Sequence, residues 1–234
     1  MGKLKPKLLI VDDEPVTRTL LTQIFSSQGH DVKTAEDGFS ALEQIRADVP
    51  DVLLSDLNMP GMSGFELLSV VRRRIPEIYV IATSGAFTGD GVPHGIAADA
   101  FYEKATGLPS LFKLVQGAAL PDQAPRAGSS ASVPMWISPT ERDASSNALV
   151  LIGCPQCLRA FSLAVEAADF VIHEAVCIYC ATIIHYATVH PMNPSSPHRF
   201  HAQSNGKAPT SIEVVPNELA EECLSNCTGT FGAD

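Results

Sequence analysis

Short apolar segments alternate with amphipathic ones through the first 120 residues, and this alternation is the strongest constraint on the fold. Between the first two segments, Val16, Leu20 and Ile24 recur at helical spacing. The segments are almost continuously apolar, as expected of strands covered on both faces of a parallel sheet. They lie at residues 8–11, 32–35, 52–54, 79–82 and 100–102. Five strands alternating with helices predict an α/β domain with a doubly wound, five-stranded parallel sheet.

Carboxylates follow two of these predicted strands. Asp12 and Asp13 come directly after the first strand, and Asp56 comes shortly after the third. Because the carboxyl ends of parallel strands meet at one edge of a sheet, we expect the three carboxylates to lie together. Crowded carboxylates raise one another's pKa unless a cation lies among them, and oxygen ligands with open positions suit Mg²⁺. A carboxylate beside Mg²⁺ can act as a nucleophile on phosphorus and form an aspartyl phosphate.

Two more polar residues lie at the ends of the last two strands. Ser84 ends the fourth strand and Lys104 closely follows the fifth, so a hydroxyl and an ammonium could contact phosphoryl oxygens. Each residue also has a simpler interpretation. Asp13 could cap the first helix, Asp56 could belong to a turn, and Lys104 could be a solvated surface residue. Their joint occurrence, each at the end of a different strand, favours the phosphoryl site.

Over about residues 5–120 the chain resembles the receiver domain of two-component response regulators. The matching stretches are LIVDDEP at residues 9–15, LSDLNMPGMSG at 54–64, TSG at 83–85 and FYEK at 101–104. The resemblance implies a sheet of order 2-1-3-4-5 and identifies Asp56 as the phosphoacceptor. It assigns Asp13 and Asp56 as side-chain ligands of Mg²⁺. Asp12 would then hold the metal mainly through water, and Asn58 would offer its backbone carbonyl.

The resemblance also assigns the residues that respond to phosphorylation. Ser84 corresponds to the switch hydroxyl, Lys104 to the phosphate-binding lysine and Phe101 to the switch aromatic residue. Phe101 lacks the hydroxyl of a tyrosine, although its ring can still change position. Residues 88–95 contain three glycines and one proline, which disfavour a regular fourth helix at this point.

All six cysteines lie after residue 153. Cys154 and Cys157, and then Cys177 and Cys180, form two C-x-x-C pairs separated by 19 residues, a spacing typical of zinc sites. Two tight turns can place four thiolates around one Zn²⁺, and four thiolates leave no open position, so the metal should be structural. With their β-prone flanks, these pairs resemble a zinc ribbon at residues 148–190.

A redox function is the alternative for the cysteine pairs. A thioredoxin-like C-x-x-C should open a helix within a βαβ unit, and the second pair would then have no explanation. Cys223 and Cys227 form a C-x-x-x-C pair without a partner pair. Free thiols in a reducing compartment are the simplest interpretation of this last pair.

The remaining stretches connect or extend the two predicted domains. Residues 121–147 contain four prolines and six serines and predict a flexible linker, and residues 191–234 predict a disordered tail. The sole tryptophan, Trp136, lies in the predicted linker. Its size favours packing on a neighbouring domain, with a short docking motif as the alternative.

Charge and hydropathy limit the possible partners. The formal net charge is −10, and only three Lys and Arg face eight Asp and Glu after residue 147, which argues against nucleic-acid binding. No apolar run approaches the ~18 residues of a membrane span, and no signal-peptide core is present. We therefore predict a cytoplasmic protein without a membrane partner.

These observations predict a response regulator without a separate catalytic output domain. A histidine kinase or a phosphotransfer protein would phosphorylate Asp56, and the zinc-ribbon-like domain would pass the signal to an unidentified protein. Two alternatives stay open at this point: a DNA-binding transcriptional regulator, and a thiol redox sensor fused to a receiver.

Overall fold

The computed structural model describes residues 6–118, 133–139, 141–142, 148–165, 170–189 and 214–215. The first stretch folds into an α/β domain. Its strands are β1 (Lys7–Val11), β2 (Asp31–Ala35), β3 (Val52–Asp56), β4 (Tyr79–Ser84) and β5 (Ala100–Glu103). Its helices are α1 (Pro15–Ser27), α2 (Gly38–Ala47), α3 (Gly64–Arg74) and α4 (Leu108–Ala118).

The five strands form one parallel sheet in the order β2-β1-β3-β4-β5. Leu53 on β3 lies opposite Leu9 on β1 and Val80 on β4, and every residue of β3 is buried. This burial is expected because helices cover both faces of the sheet. The predicted fold class and strand order are therefore confirmed, and the residues that follow β1 and β3 meet at the same edge.

Capping motifs begin two of the helices. At α2, Asp37 accepts a hydrogen bond from the backbone N–H of Ser40, and at α3 the Ser63 hydroxyl accepts one from Glu66. In both helices the third residue completes a capping box by bonding back to the cap. Helices α2 and α3 cover one face of the sheet, whereas α1 and α4 cover the other.

The connection between β4 and β5 contains only a one-turn 3-10 helix, Gly89–Gly91, so the prediction that no regular fourth helix forms here is confirmed. A buried ion pair fixes the end of this segment. The guanidinium of Arg72 on α3 lies 2.5 Å from Oδ2 of Asp99. The same oxygen accepts a hydrogen bond of 2.8 Å from the backbone N–H of Val80. Helix α3 and strand β4 together therefore position the start of β5.

The described residues of the second half form two β-hairpins. Their strands are β8 (Ala148–Gly153) with β9 (Ala160–Val165), and β10 (Ile172–Val176) with β11 (Ile183–Thr188). Three short strands extend them, namely β6 (Met135–Ile137) beside β11, β7 (Glu141–Arg142) beside β8 and β12 (Val214–Val215) beside β9. Buried Val150, Phe161 and Ile184 contribute to a separate hydrophobic core. We call the described residues from 133 to 189 the C-terminal module.

Strand β6 lies within the stretch predicted as a linker, and it packs against the α/β domain. Trp136 is 3% exposed and belongs to the same core cluster as Phe65 on α3. Its indole N–H donates a hydrogen bond of 3.1 Å to the carbonyl oxygen of Gly95. Trp136 thus packs on a neighbouring domain, as its size predicted.

Other predictions concern stretches that the structure does not describe. Most of residues 121–147, nearly all of the predicted tail at 191–234, and both Cys223 and Cys227 lie outside the described residues. Among the helices that are described, none has the length and apolarity needed to cross a bilayer.

Candidate functional site

Three carboxylates meet at the carboxyl edge of the parallel sheet. Asp12 follows β1 and Asp56 ends β3, and both are buried, whereas Asp13 is exposed. One oxygen from each of the three lies within 4.8 Å of the others. Asp12 is oriented by a 2.9 Å hydrogen bond that its Oδ1 accepts from the backbone N–H of Glu14. The strand order therefore brings together the acidic residues that the sequence singled out.

Lys104, which directly follows β5, reaches two of these carboxylates. Its Nζ lies 2.6 Å from Oδ2 of Asp56 and 2.9 Å from Oδ2 of Asp12. Hydrogen bonds between an ammonium and a carboxylate are stronger than neutral ones because both partners are charged. The ammonium therefore lies where it can also contact a group attached to Asp56.

Burial and neighbouring charges shift the pKa of both partners. Burial raises the pKa of the Asp56 carboxyl above its ordinary value; Lys104 opposes this effect and Asp12 adds to it. Burial lowers the pKa of the Lys104 ammonium, but the carboxylates of Asp56 and Asp12 outweigh burial, and the net shift is upward. A further cation at this edge would help to keep Asp56 ionised, because it would offset the desolvation of the carboxylate.

The predicted switch hydroxyl is linked to the acceptor carboxylate through Asn58. The Asn58 backbone N–H donates a 3.2 Å hydrogen bond to Oδ1 of Asp56, and its side-chain Nδ2 donates one of 3.2 Å to Oγ of Ser84. Ser84 ends β4 and is fully buried. Its Oγ also accepts hydrogen bonds from the backbone N–H groups of Ala86, at 3.0 Å, and Phe87, at 3.3 Å. The Ser84 hydroxyl thus fixes the backbone at the start of the segment that follows β4.

Gly64 permits the close approach of α3 to the end of β3. A Cβ at this position would lie 1.9 Å from the carbonyl oxygen of Asp56. The Gly64 N–H donates a 3.0 Å hydrogen bond to the carbonyl oxygen of Leu57. Any larger residue at position 64 would therefore displace the backbone that carries the acceptor carboxylate.

The oxygen-rich edge fits a magnesium ion. Mg²⁺ prefers carboxylate and carbonyl oxygens together with retained waters. Asp12, Asp13 and Asp56 supply the carboxylates, and the Asn58 carbonyl is the predicted further ligand. Their individual roles as ligands stay predictions.

Asp13 and Lys104 have surroundings that differ from their simpler interpretations. The N-cap of α1 is Glu14, whose side chain makes no capping hydrogen bond to the backbone, so Asp13 does not cap that helix. The Lys104 side chain is 31% exposed and bonded to two carboxylates, which differs from a solvated surface lysine. The hydrogen bond from Asn58 to Asp56 is turn-like, which agrees with the simpler interpretation of Asp56, and its role as phosphoacceptor stays a prediction.

Phe101 lies on β5. Its ring is half-buried and borders a groove of about 660 Å³ that Val92 and Ile96 also line. The groove lies along the segment that replaces a regular fourth helix. The switch role of Phe101 stays a prediction.

The four cysteines of the two C-x-x-C pairs form a second candidate site. Their sulfur atoms all lie within 4.8 Å of one another. The Sγ atoms of Cys154 and Cys180 are 3.6 Å apart, and those of Cys157 and Cys177 are 3.7 Å apart. Four sulfurs arranged tetrahedrally around Zn²⁺ at about 2.3 Å lie about 3.8 Å from each other. The described thiols are free, and their spacing fits a zinc ion.

The two cysteine pairs occupy equivalent turns, one in each hairpin. In the first turn, the N–H of Leu158 donates to the carbonyl oxygen of Cys154, and in the second the N–H of Ala181 donates to that of Cys177. Leu158 and Ala181 have φ angles of 61° and 58°, although neither is glycine. Strained backbone of this kind persists where the surroundings enforce it, as two turns closing on one ion would do.

The chemistry of the thiols also bears on the choice between zinc and redox functions. Hydrogen bonds from the hydroxyl and backbone of Thr182 lower the pKa of Cys180 to about 6. A low pKa favours the thiolate form that both metal binding and redox chemistry need, so the position of the pairs in the fold decides between the two. Both pairs lie in hairpin turns, whereas a thioredoxin-like pair would open a helix.

Sequence reasoning missed an aromatic contact between the two halves. Phe87 and Phe65 from the α/β domain contact Phe170 from the module, with ring centroids 5.8 and 5.7 Å apart respectively. Neither Phe87 nor Phe170 belongs to a motif or to a periodic run. Their apolar character was the only available signal, and it does not identify a partner.

Residues 8–113 match the sequence profile of the response regulator receiver domain. With the confirmed strand order, this match identifies the α/β domain as a CheY-like receiver domain. Such domains belong to two-component phosphorelay signalling, in which they take phosphoryl groups from histidine kinases and use Mg²⁺. The cluster of Asp12, Asp13 and Asp56 fits the binding of Mg²⁺.

Two curated relatives share this domain but are much longer proteins. The sensor histidine kinase RcsC of Salmonella typhimurium is 42% identical over 80 residues, which is 33% of this chain and 8% of the kinase. The DNA-binding transcriptional regulator NtrC of Klebsiella pneumoniae is 34% identical over 115 residues, which is 49% of this chain and 24% of the regulator. The chain thus spans at most about a quarter of either relative.

Solved structures of response regulators are similar to about half of this chain. The chemotaxis response regulator CheY4 of Vibrio cholerae has 27% sequence identity and a TM-score of 0.46. The alignment covers 49% of this chain and 98% of CheY4.

Proposed function

We propose that this chain is a response regulator that accepts a phosphoryl group on Asp56 from a histidine kinase or a phosphotransfer protein. Its phosphorylation state passes through the C-terminal module, held by one structural Zn²⁺, to a downstream protein. The observation that carries the proposal is the environment of the Asp56 carboxylate. It is buried at the sheet edge, lies beside Asp12 and is 2.6 Å from the ammonium of Lys104.

Asp56 is the nucleophile of the proposed transfer. One of its carboxylate oxygens bonds to phosphorus while the P–N bond of a phosphohistidine breaks, and the donor imidazole keeps the electron pair. The products are an acyl phosphate on Asp56 and an unphosphorylated histidine on the donor. Asp12, Asp13 and Asp56 would hold a Mg²⁺, which would supply positive charge to the phosphoryl group. Lys104 supplies a second positive charge, and the hydroxyl of Ser84 donates a hydrogen bond to a phosphoryl oxygen.

The C-terminal module is proposed as a scaffold without catalytic activity. Four thiolates complete the coordination of Zn²⁺ and leave no position for water or substrate. The module is small, and a metal can supply the stability that its limited core does not. A reducing compartment keeps the thiols available for the metal, so we place the protein in the cytoplasm.

A protein partner fits this module better than a nucleic acid does. Three basic residues face eight acidic ones after residue 147, which repels a phosphate backbone. Val176 and Ile183 are 58% and 59% exposed on neighbouring strands of one hairpin, where they lie opposite each other. Exposed apolar side chains that lie together are typical of protein-binding surfaces. DNA binding would instead appear as an affinity that falls steeply as the salt concentration rises.

The acceptor can be tested by labelling with radioactive acetyl phosphate or with a phosphorylated histidine kinase. The native chain is expected to incorporate label that hydroxylamine releases, as an acyl phosphate requires, and Asp56→Asn is expected to incorporate none. Asp51→Asn is the matched control, because Asp51 is an exposed carboxylate directly before the first residue of the same strand. Labelling of Asp56→Asn at the native level would show that the acceptor lies elsewhere.

A further inference from the structure

The two turns that carry the cysteine pairs have equivalent backbones but different side chains. Leu158 and Ala181 occupy the same position, with φ angles of 61° and 58°. The residues that follow them, Arg159 and Thr182, each accept a hydrogen bond at the carbonyl oxygen from the N–H of the first cysteine of the turn, at 2.8 and 2.9 Å. Because the backbones are equivalent, holding a metal does not account for the difference between the side chains.

Leu158 is an unfavourable residue for its position in the first turn. At a φ angle of 61° every residue except glycine is strained, so the turn by itself favours glycine. The Leu158 side chain is also 82% exposed, the largest fraction for any large apolar residue in the described part of the chain. The leucine therefore neither relieves the strain nor packs in the core. An aliphatic side chain presented to solvent on a constrained backbone is suited to contact another molecule.

Arg159 lies beside this leucine and reaches the other turn. Its guanidinium carbon lies 5.2 Å from the centroid of the Tyr179 ring, which is a cation–π contact. No carboxylate of the described residues forms an ion pair with this guanidinium. The planar group can donate two parallel hydrogen bonds to a carboxylate, and its contact with the ring orients it for that purpose. Arg159 is also the only Lys or Arg between residues 148 and 189.

Exposed apolar side chains of the second turn accompany this single cation. Ile178 and Tyr179 are both exposed between the second pair of cysteines. We call Leu158, Arg159, Ile178 and Tyr179 the turn surface. The exposed pair of Val176 and Ile183 continues the apolar area at the base of the second turn. The turn surface thus combines one oriented cation with aliphatic side chains on both turns.

We propose that the turn surface binds a segment of the downstream protein in which an acidic residue lies beside aliphatic ones. The acidic side chain accepts two hydrogen bonds from Arg159, and the aliphatic side chains pack on Leu158 and Ile178. Charge complementarity identifies this occupant, because the cation would repel a basic segment. A nucleic acid is disfavoured, since a phosphate backbone needs several cations and this surface has one. This inference rests on the proposed function of the module, and it names the chemistry of the partner.

Selection from a library of short random peptides displayed on phage tests the proposal. The full-length chain is the immobilised target, and fluorescence anisotropy then gives the affinity of the enriched peptides. These peptides are expected to carry Asp or Glu beside Leu, Ile or Val. Arg159→Gln should weaken their binding about tenfold, because a hydrogen bond between two charged groups is lost. Enrichment of basic peptides, or of none, would overturn the proposal.

Other occupants of the turn surface would give different results. A single-stranded oligonucleotide that binds through Arg159, with an affinity that falls steeply as salt rises, would assign the surface to nucleic acid. Dimerisation of the native chain that Arg159→Gln abolishes would assign it to a second copy. Either result would overturn the proposed partner.

Leu158→Gly separates binding from folding. Glycine adopts the φ angle of 61° without strain, so this variant should keep its zinc and melt close to the native temperature. Its affinity for the selected peptides should nevertheless fall about tenfold, because an aliphatic contact is lost. Ala181→Gly is the matched control, since it makes the same backbone change in the second turn and should bind like the native chain. Native affinity of Leu158→Gly would contradict the role of the leucine.

Labelling and metal content separate failure of this inference from failure of the proposed function. A chain that is labelled on Asp56 and holds zinc, yet selects no peptide that depends on Leu158 and Arg159, would reject the turn surface alone. A chain with neither label nor zinc that still binds acidic peptides through Arg159 would reject the proposed function and keep the turn surface.

Discussion

The Lys104 ammonium lies 2.6 Å from the Asp56 carboxylate, although 48 residues separate the two in the chain. This relationship predicts that Lys104→Gln slows phosphorylation of Asp56. Removing a positioned charge from a site of developing negative charge typically lowers the rate by about 10²-fold. The initial rate of label incorporation from acetyl phosphate measures the effect.

Lys113→Gln is the matched control for this substitution. Lys113 is exposed on α4 and receives the same change of charge and length. A native labelling rate is expected for this control. Equal rates for Lys104→Gln and the native chain would show that the ammonium has no part in the transfer.

The buried ion pair between Arg72 and Asp99 predicts a large effect on stability. Arg72→Met leaves the Asp99 carboxylate buried without its cation, and loss of one partner of a buried pair costs about 3–5 kcal/mol. Urea denaturation followed by circular dichroism measures the free energy of unfolding. Arg74→Met, an exposed change on the same helix, should alter it by less than about 0.5 kcal/mol. A loss of similar size in both variants would argue against the ion pair.

The receiver fold could be predicted from the sequence because the features that indicate it are either local, like the apolar runs, or recur at the ends of strands, like the carboxylates. The runs that became β1 and β3 are apolar on both faces; Asp12 directly follows β1, and Asp56 is the last residue of β3. Given the strand order that the resemblance implied, adjacency of these carboxylates follows. The missing helix was also predictable, because three glycines and a proline disfavour helix in any context.

The contact between the halves could not be predicted in the same way. Phe65, Phe87 and Phe170 come from distant parts of the chain. Their apolar character indicates that they can be buried, but it does not indicate which residues they contact. Arg72 and Asp99 are charged residues that usually lie at the surface, and their burial depends on tertiary packing. Trp136 was expected to pack on a domain, but its strand and its bond to Gly95 depend on geometry that no local pattern encodes.

The environment of Asp48 predicts that part of the free energy of unfolding is lost at acidic pH. Hydrogen bonds from Lys7 and Lys33 lower the pKa of the Asp48 carboxyl from 3.8 to about 2. A lowered folded-state pKa gives stabilisation that is complete above the unfolded value of 3.8 and is lost as the pH falls towards 2. The difference in melting temperature between the native chain and Asp48→Asn should therefore shrink over that interval. A pH-independent difference for Asp48→Asn would contradict the assignment.

The cysteine cluster predicts one Zn²⁺ per chain in anaerobically purified protein, measured by mass spectrometry under native conditions. Cys154→Ser is expected to lose the metal and to destabilise the module, because Cys154 is buried and its sulfur lies 3.6 Å from that of Cys180. Cys223→Ser changes a thiol that the sequence predicts to be free, and this variant should keep the zinc. If the native chain instead lacks zinc and forms a reversible disulfide between Cys154 and Cys157, the C-terminal module is a redox sensor and its structural zinc is rejected.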